Sequence, residues 1–140
     1  MPPFHLAFPV SCLDNARHFY GTVLQCTEGR SAERWVDFDF FGHQISAHLQ
    51  EPRPNQDATN EVDGDAVPIR HFGVILDIPA WRNLTERLAQ FEVTFLIPPK
   101  LRFEGQAGEQ GTCFVTDPCG NVLEFKCFAS PEQIFQTETS

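Results

Sequence analysis

Basic residues are scarce in this 140-residue chain: ten Lys and Arg stand against 19 Asp and Glu, for a formal charge of −9. A phosphate backbone is repelled by that balance, and no local basic patch offsets it, which excludes nucleic acid as a partner. Long apolar runs are missing too. No stretch reaches the roughly 18 residues that a membrane span requires. The opening Met-Pro-Pro-Phe-His has neither the basic start nor the apolar run of a signal peptide. Cysteines are few and odd in number: Cys12, Cys26, Cys113, Cys119 and Cys127, without a Cys-x-x-Cys pair. This argues against a disulfide framework or a zinc knuckle and for reduced thiols in a cytoplasmic protein. Phenylalanine is plentiful at 14 residues, and 41% of the chain is hydrophobic, enough for a packed interior and against a disordered chain. The length suits a single compact domain.

Periodicity gives the same order of elements twice. Phe4 to Val10 reads as a strand, and Ser11 with Asp14 as a capping box for a helix striped by Leu13, Ala16, Phe19, Tyr20, Val23 and Leu24. Residues 25–33 read as polar and irregular. Strands are expected at 34–41 and 44–49. Residues 51–65 hold prolines, asparagines and acids with almost nothing apolar, the pattern of a linker. The order then restarts: a strand over 68–76, a helix capped by Asp77 with Pro79 in its first turn, and a strand from Val93 closed by Pro98-Pro99. A glycine-spaced loop to Gly111, a strand over 112–116, an Asp-Pro-Cys-Gly turn and a last strand from Asn121 to Phe128 complete it. The expected organisation is a first unit over 1–50, an acidic linker over 51–67, a second unit over 68–130 and a polar tail over 131–140.

Alternation within strands makes the polar residues testable, because successive side chains point to opposite faces. His5 shares a face with Ala7 and Pro9, away from Phe4, Leu6, Phe8 and Val10. His71 stands opposite Phe72, Val74 and Leu76. Glu124 stands opposite Leu123, Phe125 and Cys127, and His48 lies with Gln44 and Ser46. If each unit curls around its second face, His5, His71 and Glu124 converge. Two imidazoles and a carboxylate are the donor set of a facial triad for non-haem iron, and they also suit manganese, nickel or zinc. His48 has three open readings: fourth ligand, acid–base group or surface residue. Counting from the turn glycines matches Glu124 (Gly120 plus four) with Ser46 (Gly42 plus four) rather than with His48, unless a bulge intervenes. Arg102 reads as a surface cation or a guide for a carboxylate substrate.

Three segments resemble one known group. Gly111-Thr112-Cys113-Phe114-Val115-Thr116-Asp117-Pro118-Cys119-Gly120-Asn121-Val122-Leu123-Glu124-Phe125 is similar to the closing hairpin of the vicinal oxygen chelate superfamily, the glyoxalase, bleomycin-resistance and extradiol-dioxygenase group. Phe4 to Val10 with Ala16-Arg17-His18-Phe19-Tyr20 resembles its opening strand and helix, and Arg70-His71-Phe72-Gly73-Val74 the strand that opens its second module. The resemblance implies an α+β fold of two βαβββ modules forming a curved mixed sheet, a half-barrel, around a metal held by His5, His71 and Glu124. It further implies a divalent-metal enzyme acting on a small substrate with adjacent oxygens, with Fe(II) and extradiol-type ring cleavage favoured and His48 near the chemistry. The alternatives are glyoxalase-like isomerase or lyase activity, and a bleomycin-resistance-type binding protein without catalysis. A homodimer is also implied.

Overall fold

The computed structural model describes residues 1–52, 59–62 and 64–137, with the backbone alone for 60–62. The chain divides into two units. The first comprises Met1–Arg70 with Thr116–Val122, and the second His71–Val115 with Leu123–Ser140. Residues 53–58 and 63 of the expected linker and 138–140 of the expected tail lie outside the described residues.

In the first unit β1 (His5–Val10) leads into α1 (Leu13–Ala16), which continues as a π-helical segment over Arg17–Val23. Next come β2 (Thr27–Ala32), β3 (Trp35–Phe40) and β4 (His43–Leu49). The sheet order is β1-β4-β3-β2, with β1 and β4 parallel and the other pairs antiparallel. Period-two alternation buries Phe8, Val10, Val36, Phe38, Ile45 and Ala47 beneath Phe19, Tyr20 and Val23 of the helical segment. Tyr20 is fully buried, with its ring centroid 5.4 Å from that of Phe8 and 5.6 Å from that of Phe38. Its hydroxyl donates to Asp117 Oδ2 at 2.7 Å. The expected Ser11 capping box is absent. Cys12 occupies the cap position, and Ser11 donates through N and Oγ to Cys119 Sγ.

The second unit repeats the plan with β7 (Phe72–Leu76), α2 (Ile78–Gln90), β8 (Phe95–Arg102), β9 (Gln110–Thr116) and β10 (Val122–Phe128), in the order β7-β10-β9-β8. Asp77 caps α2 as expected, accepting from Ala80 N at 2.9 Å. Trp81, Leu84 and Leu88 bury the inner stripe of α2, and the Trp81 indole donates to Phe125 O at 2.8 Å.

Three sequence expectations need correction. The strand expected over 68–76 is two strands: β6 (Asp65–Pro68) closes a hairpin with β5 (Thr59–Val62), and β7 begins only at Phe72. Residues 27–32, read as irregular, form the exposed edge strand β2. Pro98 and Pro99 do not end β8. It is an edge strand, where a missing N–H is tolerated, and its register shifts between Ile97 and Lys100.

The curved mixed sheet closing into a half-barrel is also corrected. Both modules are present, but their hydrogen bonds build two separate, open four-stranded sheets. The edges resist extension. Pro9 removes a donor from β1, a bulge between Glu28 and Ser31 breaks the register of β2, and two prolines interrupt β8.

Candidate metal centre

The parallel pair β7–β10 sets Phe72 against Leu123 and Gly73 against Glu124. His71, one residue before β7, thereby reaches the Glu124 side chain, with Nε2 3.2 Å from Oε1. Two ligands of one ion, each about 2.0–2.2 Å from it, stand about 3 Å apart at right-angled coordination, so this spacing fits a shared cation. Glu124 Oε2 accepts from Thr112 Oγ1 at 2.6 Å, which fixes the carboxylate and turns Oε1 toward the imidazole. The edge of one ring against the face of the other holds His71 to Phe114, with centroids 5.0 Å apart. Lys126 Nζ lies 3.9 Å from Oε1 on a half-exposed side chain that a cation could displace. Gly73 makes the approach possible: a Cβ there would overlap the backbone carbonyl of Glu124.

His5 stands in the first unit, exposed on β1. Its Nδ1 lies 2.8 Å from Gln44 Oε1. The register settles the count between the modules. His5 pairs with Gln44, and Ala7, two residues on, pairs with Ser46, as Gly73 pairs with Glu124. Ser46 therefore holds the place of Glu124, while His48 pairs with Pro9 and has Lys126 as its counterpart. Ser46 is buried and donates to Asp37 Oδ1 at 2.6 Å. His48 is exposed and lines a shallow cleft with Arg34, Leu49, Gln50 and Glu51. The structure thus brings His71 and Glu124 together. Among the described residues, no three His, Cys, Asp or Glu side chains gather closely enough to hold an ion. Arg102 ends β8 with its guanidinium 5.3 Å from the Phe103 ring centroid. His43, expected to be solvated in a turn, is half-buried and accepts from Phe4 N through Nδ1 at 2.8 Å.

The Asp-Pro-Cys-Gly-Asn turn has a structural task. Asp117 is 3% exposed and accepts from Tyr20 Oη, Cys119 N, Asn121 N and Asn121 Nδ2 at 2.7–2.9 Å. Four donors stabilise a carboxylate that burial would otherwise penalise. Burial, followed by the nearby Asp117 charge, raises the Tyr20 phenol well above its ordinary value. Asn121 Nδ2 also donates to Pro9 O at 2.8 Å, tying the turn to β1. Sequence reading placed Tyr20 in the core and missed this bond. It missed Thr112 and Gln44 as well, because neither residue type announces a partner carboxylate or imidazole across strands.

Paired βαβββ modules with an imidazole and a carboxylate meeting across a parallel strand pair define the class of protein. The chain belongs to the Glyoxalase/Bleomycin resistance protein/Dioxygenase superfamily, whose profile matches residues 3–125. It is 32% identical to a glyoxalase/bleomycin resistance protein/dioxygenase from Alicyclobacillus acidocaldarius, with 96% of each chain covered and a TM-score of 0.77. The fosfomycin resistance protein FosX from Listeria monocytogenes shares the fold at 18% identity, covering 96% of this chain and 98% of that one, with a TM-score of 0.69. A glyoxalase/dioxygenase from Nostoc punctiforme shares it at 17% identity and 92% coverage of each chain, with a TM-score of 0.69. No curated protein is matched by the sequence. No helix among the described residues is long and apolar enough to cross a membrane.

Proposed function

We propose that the chain is a divalent-metal-dependent enzyme acting on a small substrate with adjacent oxygens. In this reading His71, Glu124 and His5 are the metal ligands, Fe(II) is the favoured ion, and extradiol-type ring cleavage is the reaction. Manganese, nickel or zinc suit the same donors. The observation that carries the proposal is the 3.2 Å spacing of His71 Nε2 and Glu124 Oε1, with the carboxylate already oriented by Thr112. When bound, the ion supplies Lewis acidity and, as iron, one-electron chemistry at its open positions.

The chain's own residues do the rest. Thr112 keeps Glu124 Oε2 occupied so that Oε1 serves as donor. Phe114 restricts the tilt of the His71 ring. His48 is assigned as the acid–base group because its exposed imidazole lines a cleft beside Arg34 and Glu51, charges that can bind and orient a polar substrate. A homodimer and a cytoplasmic location belong to the same proposal. The odd number of cysteines, without a Cys-x-x-Cys pair, supports the latter.

A second reading, glyoxalase-like isomerisation or lyase-type addition, uses the same donors with a redox-inert ion. The description of the matched family, which names glyoxalase beside dioxygenase, supports it. Protein loaded anaerobically with Fe(II) is expected to consume oxygen in the presence of catechols and to lose that activity as His48→Ala. Metal binding without oxygen uptake would select the second reading. Absence of bound metal after purification without chelator and after loading would leave only a small-molecule binding protein.

A further inference from the structure

A chain of hydrogen bonds in the first unit ends on His5. Ser46 Oγ donates to Asp37 Oδ1 at 2.6 Å, Gln44 Nε2 donates to Asp37 Oδ2 at 3.5 Å, and Gln44 Oε1 faces His5 Nδ1 at 2.8 Å. The register builds it: His5 pairs with Gln44 across β1–β4, and Asp37 pairs with Ser46 across β3–β4.

The order of donors is forced from one end. An ionised carboxylate only accepts, so the amide nitrogen of Gln44 must turn to Asp37 and its oxygen to His5. An amide oxygen only accepts as well. The neutral His5 ring must therefore carry its proton on Nδ1 and leave Nε2 as a bare lone pair. A free neutral histidine in water prefers the opposite tautomer, in which Nε2 is protonated and cannot ligate. His43, on the neighbouring strand, shows the contrast. Its Nδ1 accepts from Phe4 N, so its proton sits on Nε2.

We infer that Gln44, held by Asp37 and Ser46, is a positioning residue for His5 that fixes the imidazole in the one tautomer able to bind a metal through Nε2. This rests on the reading of His5 as a ligand. Partners of this kind set ring orientation and raise ligand basicity in metal sites, and their loss typically weakens metal binding roughly 10- to 100-fold.

The test uses nitrogen-15 NMR of the metal-free full chain, with long-range correlations that report which ring nitrogen is protonated. It is run at a pH where the spectra themselves show both rings neutral. In the wild type, His5 is expected as Nδ1–H and His43 as Nε2–H within the same spectrum. In Gln44→Leu, an exposed substitution, His5 is expected to move to Nε2–H while His43 stays unchanged, and affinity for Zn(II) to fall roughly 10-fold or more. In Asp37→Asn the Gln44 amide loses its fixed direction, and His5 is expected as a mixture. A wild-type His5 protonated on Nε2, or an unchanged Nδ1–H in Gln44→Leu, overturns the inference. The expected tautomers with no Zn(II) binding in any form uphold the positioning role and refute the metal reading instead.

Discussion

The two units share one strand order and differ in what they place at the matched position beside the histidine. The second unit offers a carboxylate: Glu124 reaches His71 directly and takes a hydroxyl from Thr112 on β9. The first unit offers a hydroxyl at that place: Ser46 donates a hydrogen bond to Asp37 on β3, and the histidine meets an amide instead. Each unit keeps a 2.6 Å hydroxyl–carboxylate bond between neighbouring strands, with the acid on opposite members of the pair. A repeated scaffold thus holds an imidazole–carboxylate pair in one module and an imidazole–amide pair in the other. The difference resides in a few side chains, while the apolar faces keep the common plan.

The largest effect is expected where the modules differ by one methyl group. Gly73 and Ala7 occupy matched places, yet a Cβ at Gly73 would overlap the Glu124 carbonyl. Gly73→Ala is expected to destabilise the chain by about 3 kcal/mol or more in urea unfolding. Ala7→Gly is expected to cost only about 1 kcal/mol. Equal losses would show that the two strand pairs are packed alike.

The next effect compares the buried hydrogen bond that anchors the helical segment of each unit. Tyr20 donates to Asp117 in the first, and Trp81 to the Phe125 carbonyl in the second. Tyr20→Phe leaves a buried carboxylate one donor short, for an expected loss of about 1–3 kcal/mol. Trp81→Phe removes packing as well and is expected to cost more. Thermal unfolding of both variants checks the ranking.

The last effect is absent at neutral pH and is a slope at alkaline pH. Burial pushes the Cys26 thiol of the first unit and the Cys113 thiol of the second up to about 12, and Cys127 up to about 11, from an ordinary 9.0. Above the ordinary value the unfolded chain loses these protons while the folded chain keeps them. Stability is therefore full below pH 9 and falls as pH rises toward 12. Cys113→Ala is expected to flatten this slope in alkaline denaturation curves, and an unchanged slope would place its origin elsewhere.

Much of the module order was legible because alternation and helical stripes follow from burial: Phe8, Val36, Phe38, Leu123 and Phe125 lie inward as their spacing requires. The edges were not. Nothing local distinguishes Thr27–Ala32 from a loop, since an exposed edge strand needs no apolar face, and Pro98-Pro99 is compatible with a strand only once its edge position is known. Of the candidate site, the pairing of His71 with Glu124 followed from residue type and face. The partners Thr112 and Gln44 depend on cross-strand register, which the sequence does not state. The half-barrel came from resemblance and not from residues, and the two separate, open sheets correct it.

The most direct test of the account is metal stoichiometry, measured by elemental analysis of protein purified without chelator and then loaded, for the wild type beside His71→Ala. The wild type is expected to retain a divalent ion and His71→Ala to lose it while keeping the fold. Equal metal content in both proteins would contradict the account.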